Sequence, residues 1–425
     1  MTSFKRTREM VENRIRPGIE MLQTMSDHPD IRLQLLRLED AHGRLDDLFA
    51  AAEDTNRKVA LFEFGLTPQL FYAFDCAPLC LETFPMMFTA GNKEVFYDFI
   101  EKAESSGLPS DVCSTDRFIM GAALSGEFPE NACFVTCSAP CDGTRLAYPV
   151  MQQATDIPTL FLEAPYTYGK EAAHWYGQQI KRELIPFLEE VTGKTFDLEK
   201  FRRIVEESNR AYELLVDISD AYTMKPSPLP ASLRGFPYMS FIGSAGHPRN
   251  TKNTETFHRE VYRRIKAGIT NPFEEKHRVM WGHVPPTFDS EFFTWMETEL
   301  GACVITSMLA SSPILRPIDT TDLDTMLEGY AWQGLDLTMS LMRYDTRKLI
   351  EYTMNTFHQY RCDCMIFTLH VGCNSICGAA GIMRRYFQKE GIPVLFIELD
   401  YNDDRVLSAE PMREQIEDFF ATINA

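Results

Sequence analysis

Short apolar runs of strand length alternate along this chain with stretches whose apolar residues recur every three to four positions. KVALFEFG (58–65), CFVTCS (133–138) and TLFLEAP (159–165) read as one set of buried strands. HRVMWGHVP (277–285), ACVITSML (302–309), CMIFTLHVG (364–372) and PVLFIELD (393–400) read as a second. Near-continuous apolar strands separated by helices predict parallel sheets covered on both faces. Between the two blocks, residues 169–193 and 197–224 carry apolar side chains at i, i+3, i+4 and i+7 with charged outer faces, and the Pro-rich run MKPSPLPASLRGFP then breaks the period. The expected organisation is an N-terminal helical segment (1–55), a first α/β domain (56–170), a helical region and linker (171–260) and a second α/β domain (261–425). Both α/β domains are expected to be open, mostly parallel, three-layer folds of Rossmann or flavodoxin-like type.

Composition narrows the partners. A chain of 425 residues exceeds one hydrophobic core, and 44% hydrophobic with 24% charged residues is ordinary for a globular protein. The 42 basic against 61 acidic side chains give a formal charge of -19, which repels phosphate backbones and anionic lipid, so neither nucleic acid nor membrane is an expected partner. The first residues, MTSFKRTREMVENRIRPGIEML, scatter charge through an amphipathic helical pattern and resemble neither a leader peptide nor a membrane span, so a cytoplasmic location is expected. There thiols stay reduced, and 11 cysteines point to metal or redox chemistry before disulfides.

Reactive groups of open α/β sheets gather outside the carboxyl ends of the strands. Cys137 and Cys141 follow one predicted strand, Cys373 and Cys377 another, and each loop runs into a helix whose positive end favours thiolate. Cys113 opens the helix of SDVCSTDRFIMGAAL, and Cys76 and Cys80 follow the first strand and its helix. Cys133, Cys303, Cys362 and Cys364 lie in or beside strands and read as small apolar filler. Zinc sites favour tighter C-x2-C spacing, so the wide spacing at a sheet rim points to an iron-sulfur cluster held by distant cysteines. His277 and His283 bracket a strand and read as structural.

Three cysteine regions carry a resemblance: Cys113 in SDVCSTDRFIMGAAL, Cys141 in SAPCDGTRL and Cys373 in HVGCNSICGAAGIMRRYFQKEGIPVLFIELDYNDDR. With GLTPQLFYAFDCAP, IPTLFLEAPY, LEEVTGKTFDLEKF and PFEEKHRVMWGHVP, the chain resembles the 2-hydroxyacyl-CoA dehydratase and benzoyl-CoA reductase family over most of 58–420, and the larger iron-sulfur subunit type within it. The resemblance implies a 4Fe-4S cluster held by Cys113, Cys141 and Cys373 with one iron open, an acyl-CoA substrate, a paralogous second subunit, and single low-potential electrons from an ATP-hydrolysing iron-sulfur activator. It implies dehydration or reduction through a ketyl radical of the thioester in an oxygen-sensitive enzyme. The only GKT, 193–195, lacks the preceding glycine of a phosphate loop and reads as a helix stop, so an external activator is required.

Two features depart from the family pattern. Where relatives carry Pro-x-Glu-Leu, this chain has Pro68-Gln69-Leu70, and an amide is no general base; Glu63 or a residue of the second subunit would have to substitute, while His370, before the cysteine loop, is a second candidate group that could donate to a cluster sulfur or to the substrate carbonyl. Cys76, Cys80, Cys137 and Cys377 stand beside the triplet as candidate additional ligands, and the alternative is the 8Fe double-cubane cluster of a related reductase branch, although no cysteine falls in 330–350 to complete it. A non-catalytic iron-sulfur electron-transfer or scaffold subunit is the remaining alternative.

Overall fold

The structure, a computed structural model, describes residues 3–89, 92–139, 141–307 and 316–424. It contains two four-stranded, wholly parallel sheets. The first is built from β1 (Val59–Phe62), β2 (Ala77–Cys80), β3 (Ala132–Cys137) and β4 (Thr159–Leu162) in the order β2-β1-β3-β4. The second, from β5 (His277–Gly282), β6 (Ala302–Ser307), β7 (Cys364–His370) and β8 (Val394–Leu399), repeats that order as β6-β5-β7-β8. Met308 and Leu309, expected to end β6, lie outside the described residues.

Alternation along the strands explains the layers. Ala60, Phe62, Cys133, Val135 and Cys137 enter one core, while Val59, Leu61, Ala132 and Phe134 enter another on the opposite face. In the second sheet Met280, Met365 and Phe367 point one way, and Val279, Trp281, Cys364 and Ile366 the other. With both faces apolar, helices must cover both, which gives the expected three-layer α/β fold. Ile318, Leu327, Tyr330 and Leu335 sit in a core of the first sheet although they follow β6 in sequence. Among the described residues no helix is long and apolar enough to cross a membrane.

β2 is absent from the hydrophobic pattern. It is four residues long, contains Pro78 and lies at the sheet edge, where a missing N–H interrupts no ladder. Gly193 ends its helix at φ 68, in the left-handed region, as expected for a helix stop.

In each sheet the second strand lies on one side of the first and the third on the other. The chain therefore reverses its winding between β1 and β3 and between β5 and β7, the positions beyond whose strand ends open α/β sheets carry their ligand sites.

Candidate functional site

Three helices begin at these strand ends, and a cysteine occupies the N-cap of each: Cys113 before Ser114–Leu124, Cys141 before Asp142–Ala154 and Cys373 before Asn374–Lys389. None of the three side chains caps its own helix, so first-turn N–H groups and the positive ends of the dipoles remain directed toward the thiols. Such N-termini each favour a nearby anion by about 0.3–1 kcal/mol, and by up to about 2 kcal/mol when partly buried.

The helix that Cys113 caps packs on the first sheet, yet Cys113 meets the strand ends of the second. Its Sγ lies 3.2 Å from Nε2 of His370, the last residue of β7. Gly372 comes so close that a β-carbon there would fall 2.6 Å from the Cys113 backbone nitrogen. On the other side, a β-carbon at Gly143 would lie 3.8 Å from the Cys113 β-carbon. Glycines at 143 and 372 thus let all three cysteine loops approach one another. Cys373 acts electrostatically on Cys113, and Cys113 on Cys141. All three thiols are partly exposed.

The other cysteines separate from this group. Cys76, expected at the rim, precedes β2 and lies at the amino end of the sheet, because the strand after it runs parallel to β1 from Val59. Cys80 ends β2 and is buried, with its Sγ 3.6 Å from Glu82 Oε2. Cys137, expected just past a strand, is the last residue of β3; it is fully buried and donates to the Ala139 carbonyl at 2.7 Å. Cys377 is exposed on the first turn of Asn374–Lys389 and faces the His370 carbonyl at 3.4 Å. Cys303 is no apolar filler: it donates to Glu297 Oε1 at 2.9 Å and accepts from Arg234 at 3.1 Å and Asn271 at 3.2 Å.

Carboxyl groups lie behind the thiols. Glu63, directly after β1, accepts from the Cys137 N–H at 2.8 Å, and Glu82 accepts from the Phe64 N–H at 3.0 Å. Glu63, Glu82 and Asp116 each keep one buried oxygen without a hydrogen-bond partner. Burial, then the neighbouring Glu82 charge, raises Glu63 well above the carboxylate range. Burial likewise pushes Asp116 up to about 8 and Glu82 up to about 7. Glu82 and Asp116 are further site residues; Asp116 is one helical turn beyond Cys113, and that spacing was the available sequence signal.

The helix ends favour thiolate, but burial and then the Asp116 charge push Cys113 and Cys141 well above the usual thiol range. Desolvation therefore outweighs the dipoles among the protein groups alone. Bound metal cations reverse that balance, because a coordinating thiol loses its proton outright. Among the described residues no three His, Cys, Asp or Glu side chains close on a single ion position. A cubane asks for something else: each iron takes one protein thiolate, so its ligands stand apart around the cluster. Three separate, half-buried thiols at three helix N-termini fit that demand.

Gln69 is fully buried, not a solvated or capping residue. Its Nε2 donates to Ser208 Oγ at 2.9 Å and to Gln333 Oε1 at 3.0 Å. The crevice between β1 and β3 is tightly closed here: a β-carbon on Gly334 would lie 2.3 Å from the Gly65 carbonyl, and one on Gly65 would lie 2.4 Å from that of Ala139.

Residues 66–423 match the family described as 2-hydroxyglutaryl-CoA dehydratase, D-component. The chain is 24% identical over 404 residues to a benzoyl-CoA reductase subunit of Thauera aromatica, covering 90% of this chain and 92% of that protein. It is 23% identical over 355 residues to lactoyl-CoA dehydratase subunit alpha of Anaerotignum propionicum, covering 75% and 80%. A shorter match, 27% over 154 residues, is to the alpha subunit of (R)-2-hydroxyglutaryl-CoA dehydratase of Acidaminococcus fermentans, covering 35% and 32%.

Proposed function

Since the chain belongs to the 2-hydroxyglutaryl-CoA dehydratase D-component family, we propose that it is the cluster-bearing subunit of an oxygen-sensitive enzyme that dehydrates or reduces an acyl-CoA thioester. Cys113, Cys141 and Cys373 would hold one 4Fe-4S cluster. When bound, such a cluster supplies single electrons at low potential and, at an iron free of protein ligands, a Lewis acid for a substrate oxygen. A paralogous second subunit and an ATP-hydrolysing activator complete the proposed system.

The observation that carries this reading is the N-cap position of all three cysteines on helices whose starts adjoin. The helix ends offset negative charge on the sulfurs, and all three cysteine residues are partly exposed. Beneath the site, burial raises Glu63 well above the carboxylate range and Asp116 to about 8. Cys76 at the opposite end of its sheet and Cys137 turned onto the Ala139 carbonyl favour a single cubane over a double cluster.

Gln69 favours reduction over dehydration. Its amide accepts no proton at neutral pH, and its donor is committed to Ser208 and Gln333. Glu63, the other carboxyl at this strand end, is fully buried, and burial raises it well above the carboxylate range.

Anaerobic purification with iron and sulfide analysis tests the cluster: about four irons and as many sulfides per chain are expected. Zinc without sulfide refutes it. A change in the cluster spectrum on adding acyl-CoA separates an enzyme from an electron carrier, and turnover with benzoyl-CoA or a 2-hydroxyacyl-CoA decides between reduction and dehydration.

A further inference from the structure

A buried polar network lies behind Cys113 on its second-domain side, and the reaction proposed above makes no use of it. We propose that His370 is a positioning residue for Cys113: its Nε2–H donates to the Cys113 sulfur, fixes that sulfur in place and raises the reduction potential of the cluster bound there. This rests on the reading of Cys113 as a cluster ligand.

The ring is 2% exposed, and of the two roles its place before the cysteine loop allows, donor to a cluster sulfur or to a substrate carbonyl, the geometry favours the first. Nε2 lies 3.2 Å from Sγ. A thiolate ligand can only accept, so the nitrogen facing it must donate. The rest of the ring is held on several sides. Tyr401 packs against it at 4.5 Å between ring centroids, and His283 stacks on it at 5.8 Å. His283 holds that place with a left-handed φ of 71, a backbone conformation unusual outside glycine. Nδ1 faces Asp400 Oδ2 at 4.0 Å.

What fixes Asp400 and Tyr401 comes largely from the helix that Cys113 caps. Asp400 Oδ1 accepts from Ser114 Oγ at 2.6 Å, as well as from the Asn402 and Asp403 N–H groups at 2.9 and 3.0 Å. Arg117 Nη2 stands 3.7 Å from Asp400 Oδ2, and the Thr115 and Tyr401 hydroxyls share a hydrogen bond. Ser114, Thr115 and Arg117 therefore tie the start of the Cys113 helix to the loop after β8, and that loop holds the ring that returns to Cys113. Hydrogen bonds join the helix start to that loop, and ring packing with Tyr401 joins the loop to His370, whose Nδ1 and Asp400 Oδ2 face each other without a hydrogen bond; together they hold the Cys113 sulfur against the second sheet. A hydrogen bond to a ligand sulfur draws charge from it and favours the reduced cluster.

The test is the midpoint potential and iron content of the anaerobically reconstituted full chain. His370→Leu, which fills the space without a donor, is expected to shift the potential downward, or to lose iron while its circular dichroism stays that of the folded chain. His370→Gln, whose amide reaches toward the same sulfur, is expected to restore either property. His370→Leu with wild-type iron and wild-type potential overturns the inference, as does equal loss in both variants, which marks a merely packing role. Should His370→Leu not fold, Asp400→Asn reads the same circuit from its far side, and an unchanged potential there overturns it too. Wild-type chain that binds no cluster overturns the functional reading itself, a result distinct from an unperturbed His370→Leu.

Discussion

Replacing Gly372 by alanine probes the contact that brings two of the three cysteine loops together. Gly372 has φ 88, and an added β-carbon would fall 2.6 Å from the Cys113 backbone nitrogen and 2.9 Å from its Cα. The left-handed conformation costs an L-residue about 1–2 kcal/mol, and pushing packed backbone aside costs roughly 1–3 kcal/mol more. The sum is about 2–5 kcal/mol. Gly391 supplies the control, with φ 71 and no atom within 4 Å of where a β-carbon would sit. Gly391→Ala should therefore lose only the conformational part. The difference between the variants, about 1–3 kcal/mol, isolates the close approach. At roughly 1 °C per kcal/mol for a chain of 425 residues, Gly372→Ala should melt about 1–3 °C below Gly391→Ala in a calorimetric scan. It should also retain less iron after reconstitution, because the Cys113 and Cys373 loops are forced apart. Equal melting temperatures for the two variants would refute the argument that these loops are in backbone contact.

Alanine at Cys113, Cys141 or Cys373 should each strip most of the iron, whereas Cys76→Ala should leave iron content unchanged; an iron assay on all four decides whether the separation of these thiols is functional. Glu82, raised from 4.5 to about 7, keeps a proton in the folded chain that the unfolded chain loses. Its contribution to stability is thus present at low pH and lost as pH rises through about 7. The denaturant midpoint of iron-free chain should fall between about pH 4.5 and about pH 7, and Glu82→Gln should flatten that slope; an identical slope counts against a buried, protonated Glu82. Gln69→Glu removes two donors from a buried network and sets a carboxyl against Gln333 Oε1. It should destabilise the chain by about 1–3 kcal/mol in urea denaturation, and a neutral result means the network is not formed.

Periodicity carried most of the architecture. Strands such as β3 and β7 are buried on both faces, so their apolar runs are unbroken and visible without any knowledge of partners. β2 escaped because an edge strand needs neither length nor an unbroken row of N–H groups, and its Pro78 reads as a breaker. The helix starts at Cys141 and Cys373 were legible because a loop after a buried strand leads into an amphipathic helix, and that at Cys113 because a polar turn after one helical period opens the next. Cys303 was misread because a buried thiol looks apolar in sequence, and only the arrival of Arg234 and Glu297 made it a polar centre.

Apart from the edge strand β2, the sequence by itself determined which segments become strands and helices and which cysteines stand at helix starts, since both follow from the side-chain period within a few turns of chain. Tertiary structure alone decided that Cys113 crosses to the second sheet and meets His370, 257 residues away. It also decided that Cys76 lies at the far end of its sheet and that Gln69 is locked in the interior. Those outcomes depend on how close two backbones come, which glycines at 143 and 372 permit, and on which carboxyls are carried out of water together. Neither quantity is a property of any one stretch of the chain.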